Sequence, residues 1–328
     1  MNTNKHRYSV SMAQPVEDPK EKLQEWENML TGKDIHSIRN QICDMIWDCA
    51  FFRCINESRR YTAKDNKGNI KRNEPLHSFI NQSFFKTQLL SIRRLIDKDY
   101  CSIERDKQYT VYSLYNLIKD IKKNNALLTR KNILAVHNLP YDYEKAMEYL
   151  RQNTPKIKKG NAQVQTYIGK NIDEVEFSKD IHRRIDSITG ITAAKRSPDD
   201  LVPDNILKQF DDKLASIEEL CRYVDKFIAH ASTPESRRAI PDEIKEALGK
   251  ILNAHKIICE TASFIGNNLL FCGFGDFLPI SQYGQFDQFD LFEYLDVPIC
   301  SKETIEKLRQ VWEEYRKKTE QWCNRWYK

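Results

Sequence analysis

The sequence predicts an all-α fold, and three observations support that prediction. Only 10 Gly and 11 Pro interrupt 328 residues. Long stretches are rich in Leu, Ile, Lys, Glu, Gln and Arg, whose side chains lose little rotamer freedom in a helix. Apolar residues recur at steps of three and four positions, which is the spacing of one helical face. We therefore expect a mostly helical protein with a sizeable core, since 40% of its residues are hydrophobic.

This apolar spacing appears in a series of segments from residue 35 onward. The segments are 35–60, 84–99, 113–122, 143–150, 177–188, 214–231, 244–258 and 305–326. Turn residues without periodicity separate them, as in 62–75 and 189–204. The first 34 residues are polar and predict an N-terminal arm, either loose or with a short leading helix.

An irregular aromatic segment near the C-terminus, residues 272–298, interleaves rings with acidic residues. The rings are Phe274, Phe277, Phe286, Phe289, Phe292 and Tyr294. The segment is either a surface for a protein partner or a loop that wraps over the chain's own core. The resulting division is an arm over 1–34, a helical domain over 35–265, and the aromatic segment with its closing amphipathic helix over 266–328, packed on the same body.

Composition favours a protein of the cytoplasm. The N-terminus lacks the apolar run of a signal peptide, and the most apolar stretch, 264–274, is too short to cross a bilayer. Nine cysteines at irregular spacings form no zinc-like cluster and argue against a disulfide framework. We therefore expect reduced, mostly buried thiols, no metal, no cofactor and no membrane association.

The net charge of +5, spread along the chain, is compatible with a nucleic-acid partner, and no preference for DNA can be inferred.

The segment 214–231 carries the candidate site. Read as one helix, it has a broad apolar face formed by Leu214, Ile217, Leu220, Cys221, Val224, Phe227, Ile228 and Ala231. Arg222, Lys226 and His230 follow at four-residue steps on the opposite side, a stripe about 12 Å long.

Such a stripe suits RNA cleavage by the adjacent 2′-hydroxyl. That reaction needs a group that titrates near neutral pH and cations beside the phosphate oxygens. His230 is the candidate acid or base, and Arg222 and Lys226 are the candidate phosphate ligands. The alternative is an ordinary solvated face.

Arg93 and Arg94, in the segment 84–99, are further candidates for contacts with the RNA backbone. The spacing places Arg94 away from the apolar stripe, and Arg93 beside Asp97 on its flank. A solvated face with a salt bridge is the alternative.

Several stretches resemble the HEPN superfamily, the higher eukaryotes and prokaryotes nucleotide-binding proteins, and are similar to its abortive-infection branch in bacteria. The stretches are IRNQICDMIWDCAFFRCINESRR (38–60), SIRRLID (91–97), LLTRKNILAVHNLPYD (127–142) and YVDKFIAHAS (223–232). The resemblance implies an all-helical bundle with additional helices, pairing of protomers, and metal-independent ribonuclease activity. It also implies that His230 is the motif histidine of a composite site across a dimer.

The chain departs from the family motif, in which four to six residues separate an arginine from the histidine. The positions where this arginine is expected are occupied by Tyr223, Val224 and Asp225. The nearest arginine, Arg222, is separated from His230 by seven residues. Either the cations of the stripe bind phosphate instead, or the chain is an inactive relative that binds RNA, nucleotide or protein. Arg130 and His137 match the spacing formally but lie outside the motif helix, so we interpret this match as chance.

Two hypotheses follow. The first is an RNA-cleaving effector of bacterial anti-phage defence, a homodimer that uses His230, Arg222 and Lys226. The second is a non-catalytic helical binding module that acts on a partner through the aromatic segment or the basic, Trp-rich C-terminus.

Overall fold

The computed structural model describes residues 18–61, 64, 66–69, 73–98, 101–104, 107–153, 165–230, 232–238, 247–280 and 302–323, with no account of side chains in 101–110 and 165–171. The predicted all-α class is confirmed. The helices are α1 Pro19–Thr31, α2 Ile38–Ser58, α3 Glu74–Leu95, α4 Leu114–Lys123, α5 Arg130–Val136, α6 Tyr143–Asn153, α7 Gln165–Thr189, α8 Asp204–Ala215, α9 Glu218–Tyr223, α10 Pro234–Arg237, α11 Ala247–Phe264 and α12 Lys302–Cys323.

One feature between α3 and α4 was not predicted. Residues Cys101–Glu104 (β1) and Lys107–Thr110 (β2) form a two-stranded antiparallel hairpin in which Cys101 pairs with Thr110. These short strands connect two helices, so the fold class is unchanged.

Several helices begin at a residue whose side chain caps the first turn. Asn73 accepts a hydrogen bond from the backbone of Leu76 at the start of α3, and Ser113 and Thr129 cap α4 and α5 in the same way. Such caps satisfy amide groups that have no partner within the helix. They explain why these helices begin where the sequence changes from turn residues to apolar periodicity.

Four long helices, α2, α3, α11 and α12, form the centre of the protein. They pack around a ring, with α2 on α3, α3 on α11, α11 on α12 and α12 on α2, and α2 also contacts α11. Their fully buried apolar residues include Ile42, Met45, Ile46, Ile92, Leu95, Ile251, Ile258, Trp312 and Tyr315. This arrangement is a four-helix bundle with additional helices around it.

The predicted arm contains a helix that belongs to the core. Trp26 of α1 is fully buried, and its Nε1 donates a hydrogen bond to Asp120 at 2.7 Å. Of the two alternatives for the arm, the structure therefore contains the leading helix. One continuous core extends from Leu23 to Cys323. The three-part division of the chain stays a prediction.

The described part of the aromatic segment packs inward. Phe274, Phe277 and Leu278 are buried, and the rings of Phe274 and Phe277 meet edge to face at 5.3 Å. Residues 272–280 thus cover the chain's own core. The remainder of the segment, with Phe286, Phe289, Phe292 and Tyr294, lies outside the described residues.

The described cysteines are free thiols, as predicted, and most of them are buried. Within the residues given above, no helix combines the length and the apolar composition needed to cross a membrane.

Candidate functional site

The helix predicted over 214–231 is not continuous. Helix α8 ends at Ala215, α9 begins at Glu218, and Val224–Ile228 forms a π turn. At the first break, the Ser216 hydroxyl donates to the Lys213 carbonyl at 2.6 Å, a local bond of the kind that competes with the helical backbone pattern. In the π turn, the amide of Ala229 donates to the Val224 carbonyl, five residues back, at 2.8 Å.

The π turn improves the alignment of the predicted stripe. In a regular α-helix, Arg222 and His230 differ in direction by about 80°. A π turn contains one additional residue and reduces this difference to about 20°. The backbone of Ala229 is still right-handed helical. The stripe is therefore straighter than a regular helix would make it.

The two predicted faces of this helix are confirmed in large part. Leu214, Ile217, Leu220, Cys221 and Val224 are buried, Phe227 and Ile228 are half-buried, and Ala231 lies outside the described residues. Arg222 and His230 are exposed. Lys226 is half-buried and donates from Nζ to the Ser236 hydroxyl at 2.7 Å. Among the described residues, His230 makes no hydrogen bond or ion pair, so its imidazole is available to a ligand.

Arg93 lies beside this helix but is held by carboxylates. Its Nε donates to Asp225 at 2.9 Å, and its Nη1 lies 3.0 Å from Asp97. Partial burial of the guanidinium disfavours its charge, but the hydrogen bonds to Asp225 and Asp97 outweigh this effect and raise the pKa of Arg93. The predicted contact of Arg93 with RNA therefore requires phosphate to compete with two acids.

Asp225 belongs to a row of three acids at seven-residue intervals, which we call the acidic row. Each acid of the row pairs with a base from α3 or α4, or from the residues just after α3. The pairs are Asp211 with Lys122, Glu218 with Lys98, and Asp225 with Arg93. Seven residues are about two helical turns. Asp225, one of the three positions where the resemblance would place an arginine, thus has a structural role. The seven-residue interval is the feature of the sequence that could have indicated this role.

Arg94, unlike Arg93, lies away from the candidate helix. It is exposed and lines a cavity of about 460 Å³ at the N-terminus of α2. The other lining residues are Asp34, His36, Gln41, Asp97, Val111 and Tyr112. None of these belongs to the helix that carries His230. The structure therefore brings Arg93 to the candidate helix and separates Arg94 from it.

The second spacing match, Arg130 and His137, is structural. Arg130 is fully buried and pairs with Asp186 and Asp200. His137 hydrogen-bonds through Nε2 to the Leu270 carbonyl at 2.8 Å. Neither side chain is available to form a site with the other.

Arg237, which the sequence pattern did not single out, lies in α10 and packs against the candidate helix. Its Cζ atom lies 5.4 Å from the centre of the Phe227 ring. Arg237 comes seven residues after His230 and beyond a Thr-Pro turn, so helical spacing gave no reason to associate the two.

Comparison with protein-family models, curated proteins and solved structures finds no match to this chain. The resemblance to the HEPN superfamily therefore stays a prediction. Over the described part of the chain, no group of three or more His, Cys, Asp or Glu side chains is arranged to hold a metal ion.

Proposed function

We propose that this chain is a HEPN-like protein of bacterial anti-phage defence and a metal-independent endoribonuclease whose composite site forms across a homodimer. The observation that carries the proposal is the exposed His230, which has no partner among the described residues and shares a face with the exposed Arg222. An imidazole free of protein hydrogen bonds is available for proton transfer to and from RNA.

The chemistry follows from these groups. A base removes the proton of a 2′-hydroxyl, whose oxygen attacks the adjacent phosphorus and forms a 2′,3′-cyclic phosphate. The bond to the 5′-oxygen breaks, and an acid gives that oxygen a proton. Arg222 and Lys226 stabilise the negative charge on the phosphate oxygens during the attack.

A composite site accounts for both proton transfers. One His230 is suited to one transfer at a time, as base or as acid, and the exposed stripe contains no other histidine. A two-fold axis at this face would bring His230 of a second copy to the same phosphate. The exposure of the stripe in the single chain is compatible with such pairing.

A non-catalytic RNA-binding module is the second candidate, and the pair between Arg93 and Asp225 favours it. Asp225, one of the three positions where the family motif would have an arginine, pairs with the half-buried Arg93. A site of this kind holds RNA more weakly than one with a free arginine.

The substitution His230→Ala tests the proposed catalysis. In EDTA, the wild-type chain should cleave mixed-sequence single-stranded RNA and leave 2′,3′-cyclic phosphate ends, which mass spectrometry detects. Loss of the acid–base group should lower the rate by about 100-fold or more. His36→Ala is the matched control because His36 is also exposed but lies two residues before α2, away from the candidate helix. Intact RNA in every wild-type reaction would exclude catalysis by the isolated protein, and cleavage that survives His230→Ala would exclude the assigned residue.

The substitution Asp225→Asn should strengthen RNA binding. It removes one of the two carboxylates that hold Arg93 and leaves the side-chain shape nearly unchanged. Because the pair between Arg93 and Asp225 is partly exposed, the free energy of unfolding should fall by no more than about 1 kcal/mol. Fluorescence anisotropy with labelled RNA measures the affinity, and Asp211→Asn, which removes another acid of the row, is the control. Equal effects of the two substitutions would mean that net charge alone, rather than release of Arg93, governs binding.

A further inference from the structure

The chain after His230 turns back onto the candidate helix. Thr233 caps the short helix α10 by accepting a hydrogen bond from the Ser236 amide at 3.4 Å. The Ser236 hydroxyl in turn accepts from Lys226 Nζ at 2.7 Å. This bond holds α10 against the π turn, so that Arg237, the last residue of α10, packs against the helix that carries the predicted stripe.

Arg237 stands at the end of a stack of flat groups. The rings of Tyr223 and Phe227 are stacked, with centroids 4.7 Å apart and planes inclined by 20°. The guanidinium of Arg237 lies over the Phe227 ring, with Cζ 5.4 Å from its centroid. An arginine in this position is attracted by the face of the ring, which restricts where its planar head lies.

Arg237 has no acidic partner in the described part of the chain. Its Nε is buried and makes no hydrogen bond there, whereas the side chain as a whole is half-buried. Arg93 differs, because two carboxylates hold it. Buried polar groups without a partner are uncommon in proteins and need an explanation. An arginine that is positioned by an aromatic ring and has no protein carboxylate is suited to bind an external anion.

We propose that Arg237 binds a phosphodiester of single-stranded RNA, and that Phe227 is the residue that positions it. This inference rests on the proposed function, since it names a phosphate ligand for the His230 site. The Nη atoms of the guanidinium contact the phosphate oxygens. The neighbouring residue, Ser236, bonds to Lys226 of the stripe that also contains Arg222 and His230.

Equilibrium binding by the full chain tests this inference. All proteins carry His230→Ala and are kept in EDTA so that the RNA is not consumed, and the probe is a labelled mixed-sequence single-stranded RNA. Adding Arg237→Ala should raise Kd by about ten-fold. It should also lower the slope of log K against log salt by about 0.7, the value for one lost contact with single-stranded RNA. Arg151→Ala, an equal loss of charge at a side chain that is 73% exposed on α6, should change neither quantity.

Two more variants distinguish the contribution of the stacked guanidinium to RNA affinity from the contribution of its charge alone. Arg237→Lys keeps the charge but loses the planar, two-pronged donor, so its affinity should lie between those of wild type and Arg237→Ala. Phe227→Leu keeps every charge and removes the ring, and it should also weaken binding. Circular dichroism establishes that each variant is folded.

The outcomes of this test and of the cleavage test are distinguishable. RNA binding that depends on Arg237 in a protein that never cleaves RNA supports this inference and excludes the proposed catalysis. Cleavage that depends on His230, together with identical binding by the Arg237→Ala and Arg151→Ala proteins, overturns this inference and leaves the catalysis in place. A protein that does not bind RNA at all overturns this inference as well.

Discussion

Replacing Arg130 with methionine is expected to lower the free energy of unfolding by about 3–5 kcal/mol. Arg130 is fully buried, and its Nη2 lies 2.8 Å from both Asp186 and Asp200. Its Nη1 bonds to His182 twice, at 3.0 Å to the ring Nδ1 and at 3.1 Å to the carbonyl. Methionine would fill the space but leave these acceptors without their donor in the interior, and that loss is the reason for the large effect.

The other members of the network depend on Arg130 for their hydrogen bonds and their charge states. His182 Nε2 lies 2.9 Å from the Tyr141 carbonyl, so the ring donates there and accepts from Arg130. Burial, assisted by the charge of Arg130, lowers the pKa of His182 and keeps the ring neutral. Burial also opposes the charge of Asp186, but hydrogen bonds from Arg196 and Arg130 outweigh it and lower the pKa of that carboxyl. Every member of the network thus depends on another member.

Urea unfolding at neutral pH measures the loss. The control is Arg183→Met, on the same α7 that carries His182, where the arginine side chain is 79% exposed and the change should be within about 0.5 kcal/mol. The double substitution of Arg130→Met with Asp200→Asn should recover part of the lost free energy of unfolding, because it removes one of the carboxylate charges that Arg130 neutralised. Equal losses for the Arg130 and Arg183 variants would contradict a structural role for the network.

The substitution His255→Met should weaken the pH dependence of stability. His255 on α11 is fully buried, and neither of its ring nitrogens has a hydrogen-bond partner among the described residues. Burial lowers the pKa of this imidazole from 6.5 to about 3. The folded protein therefore keeps His255 neutral at pH values where the unfolded chain binds a proton.

The direction of the effect follows from this difference. Above pH 6.5 both states are neutral, and His255 adds no pH dependence. As the pH falls below 6.5, only the unfolded state is protonated, so stability is lost progressively down to about pH 3. At pH 5 the loss amounts to about 2 kcal/mol relative to pH 8.

Unfolding in urea at pH 8 and pH 5 measures this contribution. The drop in stability between the two values should be smaller by about 2 kcal/mol in His255→Met than in wild type. Gln88→Met is the matched control, because Gln88 on the adjoining α3 is also fully buried without a hydrogen-bond partner among the described residues and does not titrate. An unchanged drop in the His255 variant would mean that the imidazole is protonated within the folded protein.

The helices were predictable because their signal is local. Apolar spacing located the core residues of α2, α3 and α12, and it placed Arg94 outward and Arg93 beside Asp97, as the structure has them. The same spacing places His182 outside the apolar face of α7, yet this side chain is only 2% exposed. Its burial depends on Arg130, 52 residues away, and periodicity along one helix contains no information about such a partner.

Some features of the candidate site could likewise be predicted from the sequence, and others could not. Sequence spacing predicted that Arg222 and His230 face solvent, and both are exposed. It also predicted an unbroken helix, which was wrong, because the hydroxyl of Ser216 and the π turn after Tyr223 depend on local geometry that residue types do not reveal. Sequence reasoning noticed the absent motif arginine but had no account of Asp225, whose partner Arg93 is 132 residues away.

The sequence by itself determined an all-α protein, its main helices and an outward-facing Arg222 and His230. These properties depend on backbone propensity and on apolar periodicity, both of which act over a few residues. Only the tertiary structure decided that Asp225 binds Arg93, that Arg130 lies in a buried network and that Arg237 stacks on Phe227. Such contacts form when packing brings distant segments together, and the free energy of each depends on burial and charge at that place.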